Sequence, residues 1–295
     1  MLIAAFRKDN AMGNPIMRDS TLRSHYDSVE RVITTMRQQI DLPMSLQSMA
    51  KVACASPFHF NRTFRQVTGV PPSQFLYALR LDTARRLLMK TERKVIDICY
   101  DVGYNSVGTF TRRFTDLLGV SPTTFRELVR LPLLHLPEYP DPVTPLNGHL
   151  HSDYGLSGCV NTPGEFHGFT FIGLFDTPIP QARPIACAIA TESGYYHMED
   201  VPEGEFYLFA LGLEHPIDSS ACFDYDSALR GGGHQIRITH QTIHGTTNLY
   251  LRPPSPLDPP ILIVLSLLMD EFFSHQHKIP PVALTAPPLA VHAHG

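Results

Sequence analysis

The sequence predicts a multidomain protein in which an all-α domain is followed by an all-β domain. Three observations predict this. A stretch of 17 residues that begins at Ser56 recurs 50 residues later at Ser106, with seven identical positions. Apolar residues follow a helical period before residue 131 and alternate along strand-like segments after residue 165. Residues 21–130 carry 16 Lys and Arg against 9 Asp and Glu, whereas residues 131–295 carry 5 against 17.

Length and composition bound the class of protein. With 295 residues the chain is long enough for two domains that each bury a core. A basic part joined to an acidic part indicates that only the first faces a polyanion, although a chance fluctuation in charge would give the same numbers. The five Cys residues form no CxxC pair, which is typical of a reducing compartment. We find no signal peptide, and the longest apolar run, Ile261–Met269, is too short to span a bilayer, so we expect a cytoplasmic protein without a membrane partner.

Start and stop signals place the first three helices. Residues 1–24 lack a firm period and are predicted to form an N-terminal arm. Apolar residues at helical spacing then predict a first helix: Val29, Val32, Ile33, Met36 and Ile40. Ser45 is the predicted N-cap of a short second helix, about 46–53. Ser56-Pro57 starts a third helix that ends at Gly69, with an apolar face made of Phe60, Phe64 and Val67.

The same order of signals follows once more along the chain. A long helix is predicted over 72–90 and a short helix over 95–102. Gly103 marks a turn, Ser106 is the N-cap of the next helix, and a last helix follows Pro122. A short helix, a tight turn and a capped second helix together make a helix-turn-helix unit. The all-α domain is therefore predicted to be a double helix-turn-helix domain.

Beyond the helices the composition changes twice. Residues 131–165 hold six Pro and are predicted to be a linker. Six strand-like segments follow, each bounded by turn residues: 169–175, 184–191, 194–199, 204–213, 234–241 and 246–253. They favour a β-sandwich, and the apolar stretch from Pro259 favours a C-terminal helix. The predicted boundaries are 1–24 for the arm, 25–130 for the helical domain, 131–165 for the linker, 166–274 for the sandwich with its helix and 275–295 for a tail.

Each repeated helix has an outer face whose side chains suit DNA. These residues are Phe58, His59, Asn61, Arg62 and Arg65 in the first copy, and Val107, Gly108, Thr109, Thr111, Arg112 and Arg113 in the second. Arg can bond guanine, Asn can bond adenine, an apolar group can touch the thymine methyl, and a helix fits the major groove. Arg65 and Arg113 are better placed for phosphates. The alternative is a helical domain whose repeat is only architectural and whose Arg side chains are solvated.

These residues carry a resemblance to a known family. The segments LQSMAKVACASPFHFNRTFRQVTGVPPSQFLYALRLDTARRLL and VIDICYDVGYNSVGTFTRRFTDLLGVSPTTFREL are similar to the DNA-binding domain of the AraC/XylS family of bacterial transcription regulators, over residues 28–130. The resemblance implies seven helices, with a long helix at about 73–90 between two helix-turn-helix units. It implies base contacts by Phe58, Asn61 and Arg62 in the first unit, and by Val107, Gly108, Thr109, Thr111 and Arg112 in the second.

The sequence departs from this family in two respects. Val107 and Gly108 lie where longer polar side chains are common, so base readout by the second helix is expected to be weak or led by DNA shape. Most relatives carry the domain at the C-terminus, whereas here it lies near the N-terminus. What holds for an arabinose-type cupin sensor therefore does not transfer to this chain.

The acidic part resembles a carboxypeptidase-regulatory or transthyretin-like β-sandwich. The resemblance lies in the segments GLFDTPIPQARPIACAIAT and GYYHMEDVPEGEFYLFAL. It implies a module that binds partners or stiffens assemblies. HExxH, a nucleophile elbow and a phosphate-binding Gly loop are absent from the sequence, so we predict no enzyme activity, no catalytic residues and no cofactor.

The other groups in this part that could carry chemistry have simpler interpretations. RGGGHQ, residues 230–235, is predicted to be a hairpin loop rather than a phosphate site. Solvation rather than metal binding is predicted for three HxH pairs: His149/His151, His275/His277 and His292/His294. Asp224 and Asp226 are predicted to lie in an acidic surface loop, with cation binding as the alternative. A pocket or plain strand alternation would each explain three aromatic residues: Tyr195, Tyr196 and Phe206.

Three hypotheses for the whole protein follow, all with double-stranded DNA as a partner. The β-domain senses a small-molecule effector, or it forms a homodimer or contacts a protein partner, or it is an enzyme tethered to DNA. The missing catalytic constellation counts against the third. An apolar pocket with converging polar groups would favour the first. Ile261–Met269, an apolar segment that needs a partner surface, favours the second.

Overall fold

The computed structural model describes residues 19–131, 155–191, 194–214, 223–240 and 242–269. Several sequence predictions lie outside these residues: the first 18 residues of the arm, the linker over 132–154, the tail over 275–295 and the three HxH pairs. The chain divides into two compact units, Met1–Leu79 with Ser255–Pro259, and Arg80–Pro254 with Pro260–Gly295. The division falls inside one continuous helix, Pro72–Lys90.

Seven helices lie between residues 19 and 131: α1 Asp19–Gln38, α2 Leu46–Val52, α3 Pro57–Thr68, α4 Pro72–Lys90, α5 Val95–Asp101, α6 Val107–Leu118 and α7 Pro122–Arg130. Their number and order confirm the prediction for this part of the chain. The predicted arm is wrong at its end, because α1 begins at Asp19 and residues 19–24 are helical. The first turns of α1 are mostly polar, with Leu22 and Tyr26 half-buried, and so lack the apolar period that indicates a helix.

The repeat is visible in the contacts that begin and end α3 and α6. Ser56 Oγ accepts a hydrogen bond from the backbone N–H three residues later (3.3 Å), and Ser106 Oγ accepts the equivalent bond (3.4 Å). Both helices span 12 residues and end in a left-handed glycine, with φ of 80° at Gly69 and 82° at Gly119. The two copies therefore share their start, their length and their stop.

The turn that precedes each repeated helix differs in one respect. Cys54 adopts a φ of 54° in the first turn, and Gly103 adopts a φ of 79° in the second. A left-handed backbone costs a residue with a side chain about 1–2 kcal/mol, whereas Gly adopts it freely. In the second turn Tyr104 is also buried, with its ring 5.4 Å from the ring of Phe110. The first turn therefore holds backbone strain that the second avoids.

The first compact unit packs α1, α2, α3 and the first part of α4 around one apolar core. The buried ring of Phe64 lies 5.5 Å from the ring of Phe60 and 5.4 Å from that of Phe75. The segment Ser255–Pro259 belongs to the same unit, and Arg37 Nη2 donates a hydrogen bond to the Pro256 carbonyl (3.3 Å). This short segment thus packs with helices rather than with strands.

The described part of the second unit holds eight strands: β1 Gly155–Asn161, β2 Gly168–Phe175, β3 Ala186–Thr191, β4 Tyr195–Glu199, β5 Gly204–Glu214, β6 Leu229–Thr239, β7 Thr242–His244 and β8 Leu249–Tyr250. One sheet has the order β4-β1-β8 and the other the order β3-β2-β5-β6-β7. β1 and β8 are parallel, and the other paired strands are antiparallel. Each of the six predicted segments overlaps a strand, which confirms a β-rich region after the helices.

Two predictions about this region are wrong. β1 lies inside the predicted linker, and its sequence, GLSGCVN, buries only Leu156 and Val160 as large apolar residues, too few to reveal a strand. RGGGHQ is not a hairpin loop, because residues 230–235 lie in β6 and pair with β5 across a bulge between Leu208 and Phe209. Glycines in a strand mark such a bulge, which the sequence alone does not separate from a turn.

The two sheets enclose one apolar cluster, to which strands β1 to β6 and β8 all contribute. Arg230 and Arg252 exchange backbone hydrogen bonds of 2.8 and 3.0 Å, which join β6 to the residues after β8. The sheet therefore curls around the cluster. The β-rich class is confirmed, and the sandwich class stays a prediction.

The segment Ile261–Met269 lies on the other face of β2 and β5. It is helical only over 265–269, and Leu262 forms an isolated bridge with Gln181. Leu262 and Leu265 are 0% exposed. The expectation that this segment needs a partner surface is therefore wrong, because strands of the same chain cover it.

Candidate nucleic-acid interface

The outer face of α3 is polar, basic and open to solvent. Its predicted contact residues are all exposed: Phe58, His59, Asn61, Arg62 and Arg65. They are held outward because Phe60 and Phe64 are buried in the core. Phe58 is 82% exposed, and an aromatic ring this open gains free energy when an apolar surface covers it. The face therefore combines hydrogen-bond donors with one apolar contact.

α6 presents the matching positions with shorter side chains. Gly108, Thr109, Arg112 and Arg113 are exposed, and Val107 and Thr111 are half-buried. Arg112 Nε lies 3.7 Å from Asp116 Oδ2, so a carboxylate on the same helix competes for this guanidinium. A Cβ added at Gly108 would meet only Ser106 Oγ within 4 Å, at 3.8 Å. A larger side chain would therefore fit at this position, where glycine leaves the helix surface open. Whether these residues touch DNA stays a prediction.

The structure shows a contact between two histidines at the start of α3 that the sequence did not predict. The ring of His25 in α1 lies 5.7 Å from the ring of His59, edge to face. Burial, together with the neighbouring His59, lowers the pKa of His25. The polar first turns of α1 gave no sequence signal, since only the packing of α1 on α3 brings the two rings together.

The two helix faces can make three kinds of contact with nucleic acid. Arg62 and Asn61 can donate to base edges, and Phe58 can cover a thymine methyl. Arg65 and Arg113 can pair with phosphates. A helix with its side chains is about 10–12 Å across and fits a major groove about 12 Å wide. The chemistry and the dimensions both suit duplex DNA.

Asp224 and Asp226 lie in the loop before β6, and both are paired with cationic side chains. Asp224 accepts a hydrogen bond from Lys90 Nζ (2.8 Å), and Asp226 pairs with Arg86. Burial opposes ionisation of Asp224, but the hydrogen bond and charge of Lys90, with the charges of Arg86 and Arg85, outweigh it and lower the pKa of this carboxyl. The cations that these carboxylates bind are side chains of α4.

The three aromatic residues considered for a pocket do not converge. Tyr196 and Phe206 lie in the apolar cluster, 4% and 7% exposed, whereas Tyr195 is 86% exposed. Among the described residues, no group of three or more His, Cys, Asp or Glu is placed to hold a metal ion. None of the described helices is both long and apolar enough to cross a bilayer.

Comparison with known proteins gives concordant matches. The Helix-turn-helix domain family matches residues 49–128. The regulatory protein SoxS of Salmonella typhimurium is 32% identical over 103 residues, which cover 35% of this chain and 96% of SoxS. The HTH-type transcriptional regulator ArgR of Pseudomonas aeruginosa is 30% identical over 101 residues, which cover 34% of this chain and 31% of ArgR. A crystal structure of an AraC-type transcriptional regulator from Chromobacterium violaceum, 25% identical, covers 35% of this chain and 91% of that chain with a TM-score of 0.34.

The likeness differs in extent between these relatives. The match spans about a third of ArgR and nearly the whole of SoxS. It reaches about a third of this chain and includes the two helix-turn-helix units. A relative that is matched over almost its full length at this identity fixes the family, and the chain therefore belongs to the AraC/XylS family of transcription regulators.

Proposed function

We propose that this protein is a sequence-specific, DNA-binding transcription regulator that inserts α3 and α6 into successive major grooves. The observation that carries the proposal is the repeat itself: two capped helices of 12 residues, with an exposed Arg at the same position in each, Arg62 and Arg112. Two reading helices on one chain would meet groove segments about 34 Å apart, so one molecule would occupy a site without twofold symmetry.

Within this proposal α3 reads bases. Arg62 bonds guanine, Asn61 bonds adenine, and Phe58 covers a thymine methyl. Arg65 binds the phosphate backbone and sets the register of the helix. Support comes from the exposure of all four side chains on one helix face.

α6 contributes chiefly fit and charge. Gly108 and Thr109 offer little reach toward base edges, so the second half-site is read through the width and deformability of its groove. Arg112 and Arg113 supply positive charge toward the backbone. Support comes from the open space beside Gly108 and from the carboxylate of Asp116 beside Arg112.

For the β-rich region we propose a β-sandwich module for dimerisation or partner contact, with no catalytic activity. Tyr195 and Tyr250 support this, because they are 86% and 65% exposed on β4 and β8, the two strands that flank β1. Small-molecule sensing is the alternative. Acting on a bacterial chromosome would place the protein in the cytoplasm. Sedimentation of the wild type and of the Tyr195→Ser/Tyr250→Ser variant tests the module, since a dimer that the variant loses supports it and a wild-type monomer rejects homodimerisation.

The function is tested on DNA selected by the wild-type protein from a random-sequence library. Arg62→Ala and Arg112→Ala should each lower affinity for the selected site by about 1–3 kcal/mol. Arg237→Ala is the matched control, because it removes the same charge from the β-rich region, where Arg237 pairs with Glu205. The assignment of reading helices is rejected if both helix variants bind as the wild type does. Failure to select any sequence would reject the function itself.

A further inference from the structure

The segment Phe223–Asp226, of sequence FDYD, precedes β6 and alternates between buried rings and paired carboxylates. Phe223 and Tyr225 are each 2% exposed. Asp224 bonds Lys90 of α4, and Asp226 pairs with Arg86 of the same helix. All of these contacts lie within the second compact unit, which also holds α5, α6 and α7. We call this segment the FDYD segment.

The ring of Phe223 continues a row of aromatic side chains that runs through the second helix-turn-helix unit. Phe110 lies 5.7 Å from Phe114, Phe114 lies 6.0 Å from Phe125 in α7, and Phe125 lies 5.7 Å from Phe223 at an interplanar angle of 88°. The pairs Phe114–Phe125 and Phe125–Phe223 are edge to face, an arrangement that stabilises beyond the area buried. The core of α6 is therefore in unbroken contact with the FDYD segment.

Tyr225 binds the second half of α4. The guanidinium of Arg85 lies 5.0 Å from the centre of the Tyr225 ring, and Arg85 also donates to Asp82 Oδ1 at 2.7 and 3.2 Å. Arg85 is only 1% exposed, and a buried charge requires partners in fixed positions. The Tyr225 hydroxyl donates to the Ile263 carbonyl and accepts from the Leu265 N–H, both at 3.1 Å. One tyrosine thus ties α4 to the segment that covers the sheet.

The end of α6 is also in contact with the β-rich region. The backbone N–H of Ala182, between β2 and β3, donates to the Leu117 carbonyl near the end of α6 (2.7 Å). The β-rich region therefore contacts α4, α6 and α7, and it does so while Gly108, Thr109 and Arg112 remain exposed. The contact holds the reading helix without covering its reading face.

We infer that the FDYD segment is an intramolecular docking site through which the β-rich region holds the second helix-turn-helix unit in the form that binds DNA. This inference rests on the proposed function. The region acts as a brace for α6, so loss of the contact lowers affinity for a full site. Any event in the β-rich region that displaces the segment acts first on the second reading helix.

The test is a charge swap between Lys90 and Asp224. Lys90→Glu and Asp224→Lys each place like charges together, and the double variant restores an opposite pair with reversed sign. Hydrogen exchange of the α6 and α7 amides is measured in the full-length protein without DNA. Each single variant should speed exchange about three- to tenfold, and the double variant should return most of the protection. Arg237→Glu is the control, because it places like charges together within the β-rich region, where its partner Glu205 lies in β5.

The same variants are then compared on the full selected DNA site. The single variants should bind about three- to tenfold more weakly and the double variant nearly as the wild type does. Unchanged exchange in both single variants, or a double variant that exchanges as fast as the singles, overturns the docking site. Faster exchange with unchanged full-site affinity overturns the brace. Arg62→Ala on the same DNA reports separately on the proposed function, because α3 lies in the other compact unit.

Discussion

The two helix-turn-helix units share one scaffold and present different surfaces. α3 and α6 have the same length, a serine cap, two buried Phe and a left-handed glycine stop. α3 exposes an aromatic ring, an amide and two guanidinium groups, whereas α6 begins with a half-buried Val107 and a bare Gly108. The residues that shape the backbone are kept in both copies, and the residues that face outward have diverged. Under the proposed function, the duplicated fold divides one task into base readout by α3 and positioning by α6.

The two units also differ in what supports them. In the first, Phe64 packs between Phe60 and Phe75, and the short segment Ser255–Pro259 joins the helices. In the second, the aromatic row continues from Phe125 to Phe223, beyond the helices. The core of the second helix-turn-helix unit is therefore continuous with the β-rich region.

The largest effect is expected from truncating equivalent core rings. Phe64→Ala and Phe114→Ala each remove a side chain that is 0% exposed, and each should lower the free energy of unfolding by about 3–5 kcal/mol. Urea unfolding followed by circular dichroism measures both. If one variant alone loses less than about 1 kcal/mol of unfolding free energy, the apolar cores of the two copies are not equivalent.

The next effect concerns the reading surfaces. Gly108→Phe, Thr109→His and Thr111→Asn give α6 the side chains that α3 carries at the equivalent positions 58, 59 and 61. On a DNA in which the first half-site is repeated, this variant should bind about tenfold or more tightly than the wild type, because one good base contact is worth about 1–3 kcal/mol. Affinity is measured by fluorescence anisotropy. Equal affinity of both proteins would show that the side chains on these faces do not set base preference.

A smaller effect is expected from the caps. Ser56→Ala and Ser106→Ala each remove the side-chain acceptor at the start of a repeated helix and should cost about 1 kcal/mol of stability. Thermal and urea unfolding of the two variants gives both values. If only one of the two serines stabilises the fold, the starts of α3 and α6 are not equivalent.

Substitutions in the two turns should change the free energy of unfolding in opposite directions. Cys54→Gly relieves a left-handed side chain and should stabilise by less than about 1 kcal/mol, since the flexibility of Gly in the unfolded chain offsets part of the gain. Gly103→Ala creates the same strain and should destabilise by about 1–2 kcal/mol. Stabilisation by Gly103→Ala would refute the difference in turn strain.

The smallest effects expected are those of pH, which should destabilise the two helix-turn-helix units in different pH ranges. The folded pKa of His25 is lowered from an ordinary 6.5, so its contribution to stability is full above that value and is lost as pH falls through the lowered pKa. The folded pKa of Asp224 is lowered from 3.8, so its contribution is lost only in stronger acid. Hydrogen exchange from pH 7 to pH 3 should show α1 and α3 loosening before α6 and α7, and the reverse order would contradict this assignment.

Local signals in the sequence were enough to predict the helical part. Caps, prolines and glycines placed α3 and α6 to the residue because each signal acts within a few positions of the chain. β1 was not predicted, because GLSGCVN forms a strand through its pairing with β4 and β8 and not through its own composition. For the same reason, the sequence did not predict that the glycines of β6 lie in a strand or that the FDYD segment contacts α4. Their partners, β5 and α4, lie far away in sequence, and only tertiary structure brings them together.

We propose that one molecule reads two successive major grooves, chiefly through α3. Hydroxyl-radical footprinting of the wild type, Arg62→Ala and Arg112→Ala on the selected site distinguishes this binding mode from others. We predict two protected patches about 10 base pairs apart, one weakened by each substitution, with sequence conserved mainly under the Arg62 patch. A single protected patch per molecule, or one patch weakened by both substitutions, would show that the two helices do not occupy separate grooves.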